Sequence, residues 1–312
     1  MHNVLVVLNK RAGALLDRDP AEVRREVESA LRVGGRSIEV VLESGQGMVR
    51  AVERGAAGGY DTLIVGGGDG SVSAAANRLA GKPVALGVLP LGTLNLLARD
   101  LRMPTELPDA LAALSTARPR AIDLASLNGR RFHSISGLGF FSQMARAREE
   151  ARDLPGRLLR LGAAAWQAFL RTGHLTLEFD IDGRARRMQA YAALVTCNRF
   201  GGDDWRRDAL DGGVLEIHIA EEAGALGRLK AGADVLTGGW RDNKGIHSFT
   251  AQRVRIGGVR RRRTWAATDG ELRRERMPLD FAIEPRALTV LSPEAEAPEQ
   301  LTPPTSTSAP RA

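Results

Sequence analysis

Residues 63–71 have the sequence Leu63-Ile64-Val65-Gly66-Gly67-Gly68-Asp69-Gly70-Ser71, and this stretch decides the interpretation of the fold. The apolar run 62–65 predicts a buried strand, and the Ala-rich pattern 72–79 predicts a helix. Glycines between them let a ligand approach the backbone, because no Cβ is in the way. Free N–H groups and the positive end of the helix dipole then face one point. The segment therefore predicts a phosphate-binding turn.

Asp69 places a carboxylate at this turn, where it would repel bare phosphate. A divalent cation between the two resolves that conflict, and Mg²⁺ is bound in this way in many proteins. The alternative is a glycine-rich strand–helix turn without a ligand. The segment is not a Walker A loop, and Ser71 stands where a G-x-G-x-x-G motif has its last glycine.

Composition predicts two domains with one basic half. The 312 residues are 43% hydrophobic and 4% aromatic, with a formal net charge of +7. Residues 1–122 carry 15 basic and 13 acidic side chains, whereas residues 123–292 carry 28 and 21. A basic half indicates an anionic partner surface. Nucleic acid is not favoured as a partner, because the charge is spread out and not interleaved with aromatic residues.

The remaining global features predict a cytoplasmic protein. Cys197 is the single cysteine, so no internal disulfide can form. The N-terminus lacks a basic region and a small-residue cleavage site, which favours a first strand over a signal peptide. No apolar run approaches the roughly 20 residues that span a bilayer.

Strands and helices alternate through about residue 122, which predicts an α/β domain with a mostly parallel sheet. The predicted strands are 4–8, 38–42, 62–65 and 84–88, and the predicted helices are 20–31, 48–55, 72–79, 94–101 and 109–114. Such sheets bind ligands at the carboxyl ends of their strands. We therefore expect the turns that follow the four strands to converge on one edge.

Strands dominate residues 123–292, which predicts an antiparallel β-sandwich with inserted helices at 140–152 and 157–170. Asn128-Gly129 predicts a tight hairpin turn between strands at 122–127 and 131–135. We expect the apolar face of the helix at 157–170 to pack in the core; it carries Leu158, Leu161, Ala165, Trp166 and Phe169. Residues 293–312 consist mainly of Pro, Ser, Thr, Ala and Glu and predict a disordered tail. The expected domains are thus 1–122 and 123–292, followed by that tail.

Five short motifs, taken together, resemble the diacylglycerol kinase catalytic family, which includes sphingosine kinases, bacterial lipid kinases and, more distantly, NAD kinases. The matching segments are G-G-D-G-S at 67–71, N-K-R-A-G at 9–13, P-L-G-T-L-N at 90–95, D-G-G at 211–213 and T-D-G-E at 268–271. They occur in the family's order and the resemblance covers about residues 3–291. Agreement of five motifs in register is far more specific than any one of them.

The resemblance implies an ATP-dependent lipid kinase, a transferase that phosphorylates a hydroxyl of a diacylglycerol- or sphingosine-like lipid at the membrane surface in phospholipid biosynthesis. ATP and Mg²⁺ would be its cofactors. The implied nucleotide contacts are Asn9, Lys10, Arg11, Ala12, Gly13, Ser44, Gly67, Gly68, Asp69, Gly70, Ser71, Val72, Ser73, Thr93 and Asn95.

Asp269 and Glu271 would supply the acid/base function on the acceptor, and Asp69 would hold Mg²⁺. Phosphoryl transfer independently requires charge neutralisation at the phosphates and a group that takes the hydroxyl proton. The alternative for Asp269-Gly270 is an ordinary hairpin turn.

Two positions depart from the family pattern. Leu96 stands where the family usually has an aspartate near the nucleotide metal. Gly212 stands where a second aspartate binds a structural metal, which leaves Asp211 as the candidate ligand. Asp123 matches the family's inter-domain aspartate, although a strand-edge carboxylate held by backbone donors fits equally well.

The acceptor remains open. Arg260–Arg263 beside Trp265 form either a solvated loop or a contact with anionic lipid, where each basic residue adds about 1 kcal/mol. A kinase of a soluble acceptor, as in NAD kinases, is an alternative function. A nucleotide-binding protein without catalytic activity is another, which Leu96 favours. The sequence does not specify the oligomeric state.

Overall fold

The computed structural model describes residues 1–150, 157–173, 175–181, 183–201, 206–207, 209–221, 224, 227, 234, 239–258 and 262–293. The predicted tail lies outside the described residues from position 294 onward, as do Arg260 and Arg261 of the predicted basic loop.

The N-terminal part is an α/β layer, as predicted. Its strands are β1 (Asn3–Asn9), β2 (Ser37–Glu43), β3 (Thr62–Gly67) and β4 (Ala85–Pro90), and its helices are α1 (Pro20–Leu31), α2 (Gln46–Ala57), α3 (Asp69–Leu79), α4 (Leu96–Asp100) and α5 (Leu107–Thr116). The strands pair in parallel in the order β2-β1-β3-β4. β3 and β4 are buried along their whole length, as expected for parallel strands that are covered by helices on both faces.

The carboxyl ends of the four strands lie side by side. In the register, Asn9 pairs with Glu43, and Gly67 pairs with Pro90. α3 begins at Asp69, three residues before the predicted start, so 69–71 form its first helical turn. Gly68 is the N-cap, and its carbonyl accepts the N–H groups of Ser71 at 2.9 Å and Val72 at 3.2 Å. Among the described residues, the N–H groups of Asp69 and Gly70 have no acceptor.

The C-terminal part is an antiparallel β-sandwich, again as predicted. Its elements are β5 (Arg118–Leu127), β6 (Arg130–Phe132), β7 (Ile135–Gly139), α6 (Phe140–Glu150), α7 (Arg157–Arg171), β8 (Leu175–Ile181), β9 (Arg184–Cys197), β10 (Leu215–Glu221), β11 (Ile246–Ala251), β12 (Arg253–Gly258), β13 (Arg263–Thr268), β14 (Glu271–Arg276) and β15 (Leu279–Ser292). Its apolar core is separate from that of the N-terminal part.

β15 connects the two parts. It pairs antiparallel with β5 and β12. Near its C-terminal end it also pairs in parallel with β4, where Val290 lies opposite Leu86. Leu288, Val290 and Leu291 accordingly pack in the N-terminal core. The predicted domain boundary at 122/123 lies inside β5 and remains a prediction.

Two local expectations are wrong. The strand predicted over 131–135 is interrupted at His133 and Ser134, which separate β6 from β7. The apolar face of α7 is not wholly buried, because Trp166 is 60% exposed. Among the described helices, none is long and apolar enough to cross a membrane.

Candidate active site

The glycine-rich turn and the turn after β4 touch through their backbones. A Cβ placed on Gly92 would clash with the Cα of Gly68. A larger residue at position 92 would therefore push the two turns apart. A Cβ on Gly67 would lie 2.7 Å from the Ser71 hydroxyl. A Cβ on Gly70, by contrast, would have Glu271 Oε1 as its nearest neighbour, at an ordinary contact distance of 3.8 Å. The outer side of this first turn of α3 therefore has room for a ligand.

Asp69 binds the start of α4. Its Oδ1 accepts the Leu96 N–H at 2.6 Å, and its Oδ2 accepts the Asn95 N–H at 3.1 Å. Burial, assisted by the nearby Asp269 carboxylate, raises the pKa of Asp69 above its usual value, although both N–H bonds and His133 act against the shift. The side chain has a capping function that the sequence did not reveal.

Asn95 shapes the same turn from inside. It adopts a left-handed backbone conformation with φ 51°. Its Oδ1 accepts the Gly92 N–H at 3.0 Å, and its amide donates to the carbonyls of Gly92 and Pro90. This side chain is thus occupied within its own turn, while Thr93 beside it is exposed.

The turns after β1 and β2 border the same edge. Asn9 Oδ1 accepts the Arg11 N–H at 3.0 Å, and its amide lies 3.5 Å from the Ser71 hydroxyl. Lys10, Arg11 and Gly13 are exposed, and Ser44 is partly buried. These positions remain predicted nucleotide contacts.

Three residues of the predicted nucleotide site point away from it. Ala12 and Val72 are buried in the N-terminal core, at 6% and 4% exposure. Ser73 is 5% exposed, and its hydroxyl donates to Asp269 Oδ2 at 3.3 Å across the boundary between the two parts. We therefore exclude side-chain contacts from these three residues in the function proposed below.

Asp269 is a buried structural carboxylate. It is 1% exposed and accepts three backbone N–H groups, from His133 at 2.8 Å, Ser134 at 3.0 Å and Ile135 at 3.2 Å. These bonds explain the break between β6 and β7, because the N–H groups turn toward the carboxylate instead of a neighbouring strand. With the Ser73 bond, most of its accepting capacity is in use.

Glu271 differs from Asp269 in exposure and partners. Its side chain is 37% exposed, and its Oε2 accepts Arg130 at 2.6 Å and Arg273 at 3.0 Å. Burial raises the pKa of Glu271, but the two arginines outweigh burial and lower it below the usual value. The carboxylate is therefore ionised at neutral pH, and its Oε1 faces Gly70.

Sequence reasoning missed the residues that hold this turn. Arg130 binds Glu271, as described above. His133 is fully buried with Nε2 3.4 Å from Asp269 Oδ2, and neither ring nitrogen has a hydrogen-bond partner among the described residues. Arg207 is buried, pairs with Asp100 at 2.9 Å and donates to the His133 carbonyl. No local pattern marks these residues, because their partners lie far away in sequence.

Asp123 is held by backbone donors of the C-terminal part. It is 1% exposed and accepts the Gly213 and Arg286 N–H groups, both at 2.7 Å. This is the strand-edge alternative considered from the sequence.

Asp211, the candidate metal ligand, instead forms an exposed ion pair with Arg120 at 3.1 Å. The described residues contain no group of three or more His, Cys, Asp or Glu side chains placed to hold a metal. A cation at Asp211 would have to compete with Arg120, so Asp211 has no part in the function proposed for this protein.

Comparison with known proteins identifies the family of the chain. Residues 3–127 match the model of the diacylglycerol kinase catalytic domain, and residues 136–292 match that of the YegS C-terminal NAD kinase beta sandwich-like domain. A probable lipid kinase YegS-like of Pseudomonas aeruginosa is 34% identical over 251 residues, which cover 74% of this chain and 77% of that protein. The chain belongs to the diacylglycerol kinase catalytic domain family. It is accordingly a kinase.

One further relative and one solved structure are also similar to this chain. A probable lipid kinase YegS-like of Pseudomonas fluorescens is 39% identical over 140 residues, covering 43% of this chain and 46% of that protein. A crystal structure of a diacylglycerol kinase from Bacillus anthracis str. Sterne superposes with a TM-score of 0.70 at 18% identity, covering 93% of this chain and 97% of that one. The latter shows a shared fold.

Proposed function

We propose that the protein transfers the terminal phosphoryl group of ATP to a hydroxyl of a diacylglycerol- or sphingosine-like lipid at the cytoplasmic membrane surface. The observation that carries the proposal is the position of Glu271. This ionised, partly exposed carboxylate lies across the boundary between the two parts, with Oε1 facing the first turn of α3 at Gly70.

The first turn of α3 fits the phosphates of a nucleotide. The N–H groups of Asp69 and Gly70, together with the helix dipole, favour anions, and Gly70 leaves space in front of them. Asn9, Lys10, Arg11, Ser44 and Thr93 border the same edge and would contact the rest of the nucleotide.

Asp69 would hold Mg²⁺ beside that turn. When bound, the ion neutralises charge that develops on the phosphates. Protein sites for Mg²⁺ commonly contribute only one or two carboxylates, with phosphates and water completing the shell. A single partly buried carboxylate next to the phosphate turn therefore fits the ion without a larger acidic cluster. Its two backbone bonds keep the Asp69 oxygens in place.

Glu271 would take the proton of the acceptor hydroxyl. A general base must lie within hydrogen-bond reach of the proton, and an exposed carboxylate at the boundary can meet a substrate there. Arg130 and Arg273 orient Oε2, which leaves Oε1 directed at the phosphate turn. Asp269 would act as a positioning residue, because it organises the turn through backbone bonds and is not accessible to substrate.

The test is a radiolabelled-ATP assay against diacylglycerols, sphingoid bases and NAD, each with and without Mg²⁺. We expect label only in a lipid and only with Mg²⁺. We expect Asp69→Asn to remove turnover. Asp61→Asn is the matched control, since Asp61 also accepts two backbone N–H groups but lies at the opposite edge of the sheet. Label in NAD, or no label in any acceptor, would contradict the proposal.

A further inference from the structure

The hairpin of β13 and β14 forms one edge of the sheet. Arg263 pairs with Arg276 and Trp265 pairs with Arg274. Residues directly opposite each other in an antiparallel pair present their side chains on the same face. Three guanidinium groups and an indole therefore share one face, and we call these four residues the basic hairpin face.

The charges of the basic hairpin face are unbalanced. All three arginines are exposed, and Trp265 is 38% exposed. Within the described parts of the chain, none of the three is paired with a carboxylate. Arg273, on the opposite face of the same strand, pairs with Glu271. Like charges directly opposite each other destabilise a sheet, so stability of the free protein does not explain this arrangement.

The basic hairpin face also lies near the candidate active site. Ala267 follows Trp265 on the same face and pairs with Gly137 of β7. A Cβ on Gly137 would clash with Phe141, so α6 packs against this face of β7. The face thus continues the side of the sheet that α6 covers. Trp265 precedes the end of β13 by three residues, which places it about 10 Å along the strand from the turn that carries Glu271.

We propose that the basic hairpin face docks on the surface of an anionic phospholipid bilayer. The inference rests on the proposed function, since a long-chain lipid acceptor resides in a bilayer. Guanidinium groups bind phosphate oxygens in a bidentate manner, and tryptophan favours the headgroup level of a membrane. Docking here would hold the end of the hairpin within about 10 Å of the membrane-bound Trp265, with the Glu271 side chain on the opposite face of β14 beside Arg273.

The test measures vesicle binding in the absence of ATP. Vesicles of phosphatidylcholine, with and without phosphatidylglycerol, are sedimented with the parent, with Arg263→Gln/Arg274→Gln/Arg276→Gln, and with a control. The control, Arg24→Gln/Arg25→Gln/Arg50→Gln, loses the same charge from exposed positions on α1 and α2. We expect only the phosphatidylglycerol vesicles to bind the parent. The hairpin variant should bind them about 100-fold more weakly, and the control less than tenfold.

A second measurement uses tryptophan fluorescence. Brominated lipid in the anionic vesicles should quench the parent, and Trp265→Phe should reduce that quenching. The hairpin variant should melt no lower than the parent, because it relieves repulsion between Arg263 and Arg276. If the hairpin variant melts at a lower temperature than the parent, the vesicle assay is repeated with the single variant Arg274→Gln. This variant should bind anionic vesicles about fivefold more weakly than the parent.

The docking proposal would be overturned if the parent did not bind anionic vesicles, if the hairpin variant and the control lost binding equally, or if the hairpin substitutions left binding unchanged. Preferential binding of an acidic peptide or a nucleic acid through these residues would overturn it as well. A protein that docks through this face but transfers no phosphate to lipid would contradict the proposed function alone, since the binding assay contains no ATP.

Discussion

The two carboxylates on either side of Gly270 lie in opposite environments. Asp269 is buried and accepts three backbone N–H groups, whereas Glu271 is partly exposed and pairs with two arginines. A buried carboxylate whose oxygens already accept several hydrogen bonds fixes the local backbone, whereas an accessible carboxylate can contact a substrate. In the proposed function, Asp269 therefore has a structural role and Glu271 the chemical one, although the two residues belong to one motif.

Asp269→Asn should have the largest effect on stability. An amide in place of the carboxylate removes charge-assisted bonds and turns an NH₂ group toward backbone donors. We expect the unfolding free energy to fall by about 3 kcal/mol, measured in denaturant melts. Asp280→Asn is the control, because Asp280 forms an exposed pair with Arg255 and its loss should cost at most about 1 kcal/mol. Equal unfolding free energies of the two variants would contradict the structural function assigned to Asp269.

Arg130→Gln should change the pH dependence of turnover. Arg130 helps to lower the pKa of Glu271, so its removal raises that pKa. Glu271 then becomes protonated at a higher pH, so the acidic limb of the profile of kcat/KM against pH should shift to higher pH. Arg131→Gln is the matched control, since Arg131 pairs with Glu284. An identical acidic limb in parent and Arg130→Gln would show that Glu271 does not govern the profile.

Ser73→Ala should have the smallest effect. The hydroxyl of Ser73 forms one rather long bond to Asp269, and three backbone donors remain. We expect a loss of about 1 kcal/mol in the unfolding free energy and turnover within a few-fold of the parent. A loss as large as that of Asp269→Asn would mean that the bond across the two parts, and not the backbone bonds, holds the carboxylate.

Local signals predicted much of the fold. Pro20–Leu31 was predicted with its observed bounds, because Asp19 caps the helix, Pro20 opens it and the apolar residues have helical spacing. The start of α3 was missed because Gly68 caps it without a polar side chain. The break at His133 was missed for a different reason: its cause, Asp269, is 136 residues away in sequence.

The motifs predicted which turns border the site, but not what each side chain does there. The alternation of strands and helices along the sequence places the turns at one edge of a parallel sheet. This can be predicted without knowing the tertiary structure. That Asp69 caps α4, or that Ser73 turns inward to Asp269, depends on how two parts of the chain pack together. For the same reason the motif gave no ground for separating Asp269 from Glu271.

Glu271→Gln tests the central claim most directly. Single-turnover phosphoryl transfer and ATP affinity are measured with this variant and with Glu275→Gln, a control on the same strand. The account predicts a transfer rate at least about 100-fold lower for Glu271→Gln, with ATP affinity within a few-fold and an unchanged melting temperature. The control should match the parent. A transfer rate within a few-fold of the parent in Glu271→Gln would contradict the assignment of Glu271 as the base.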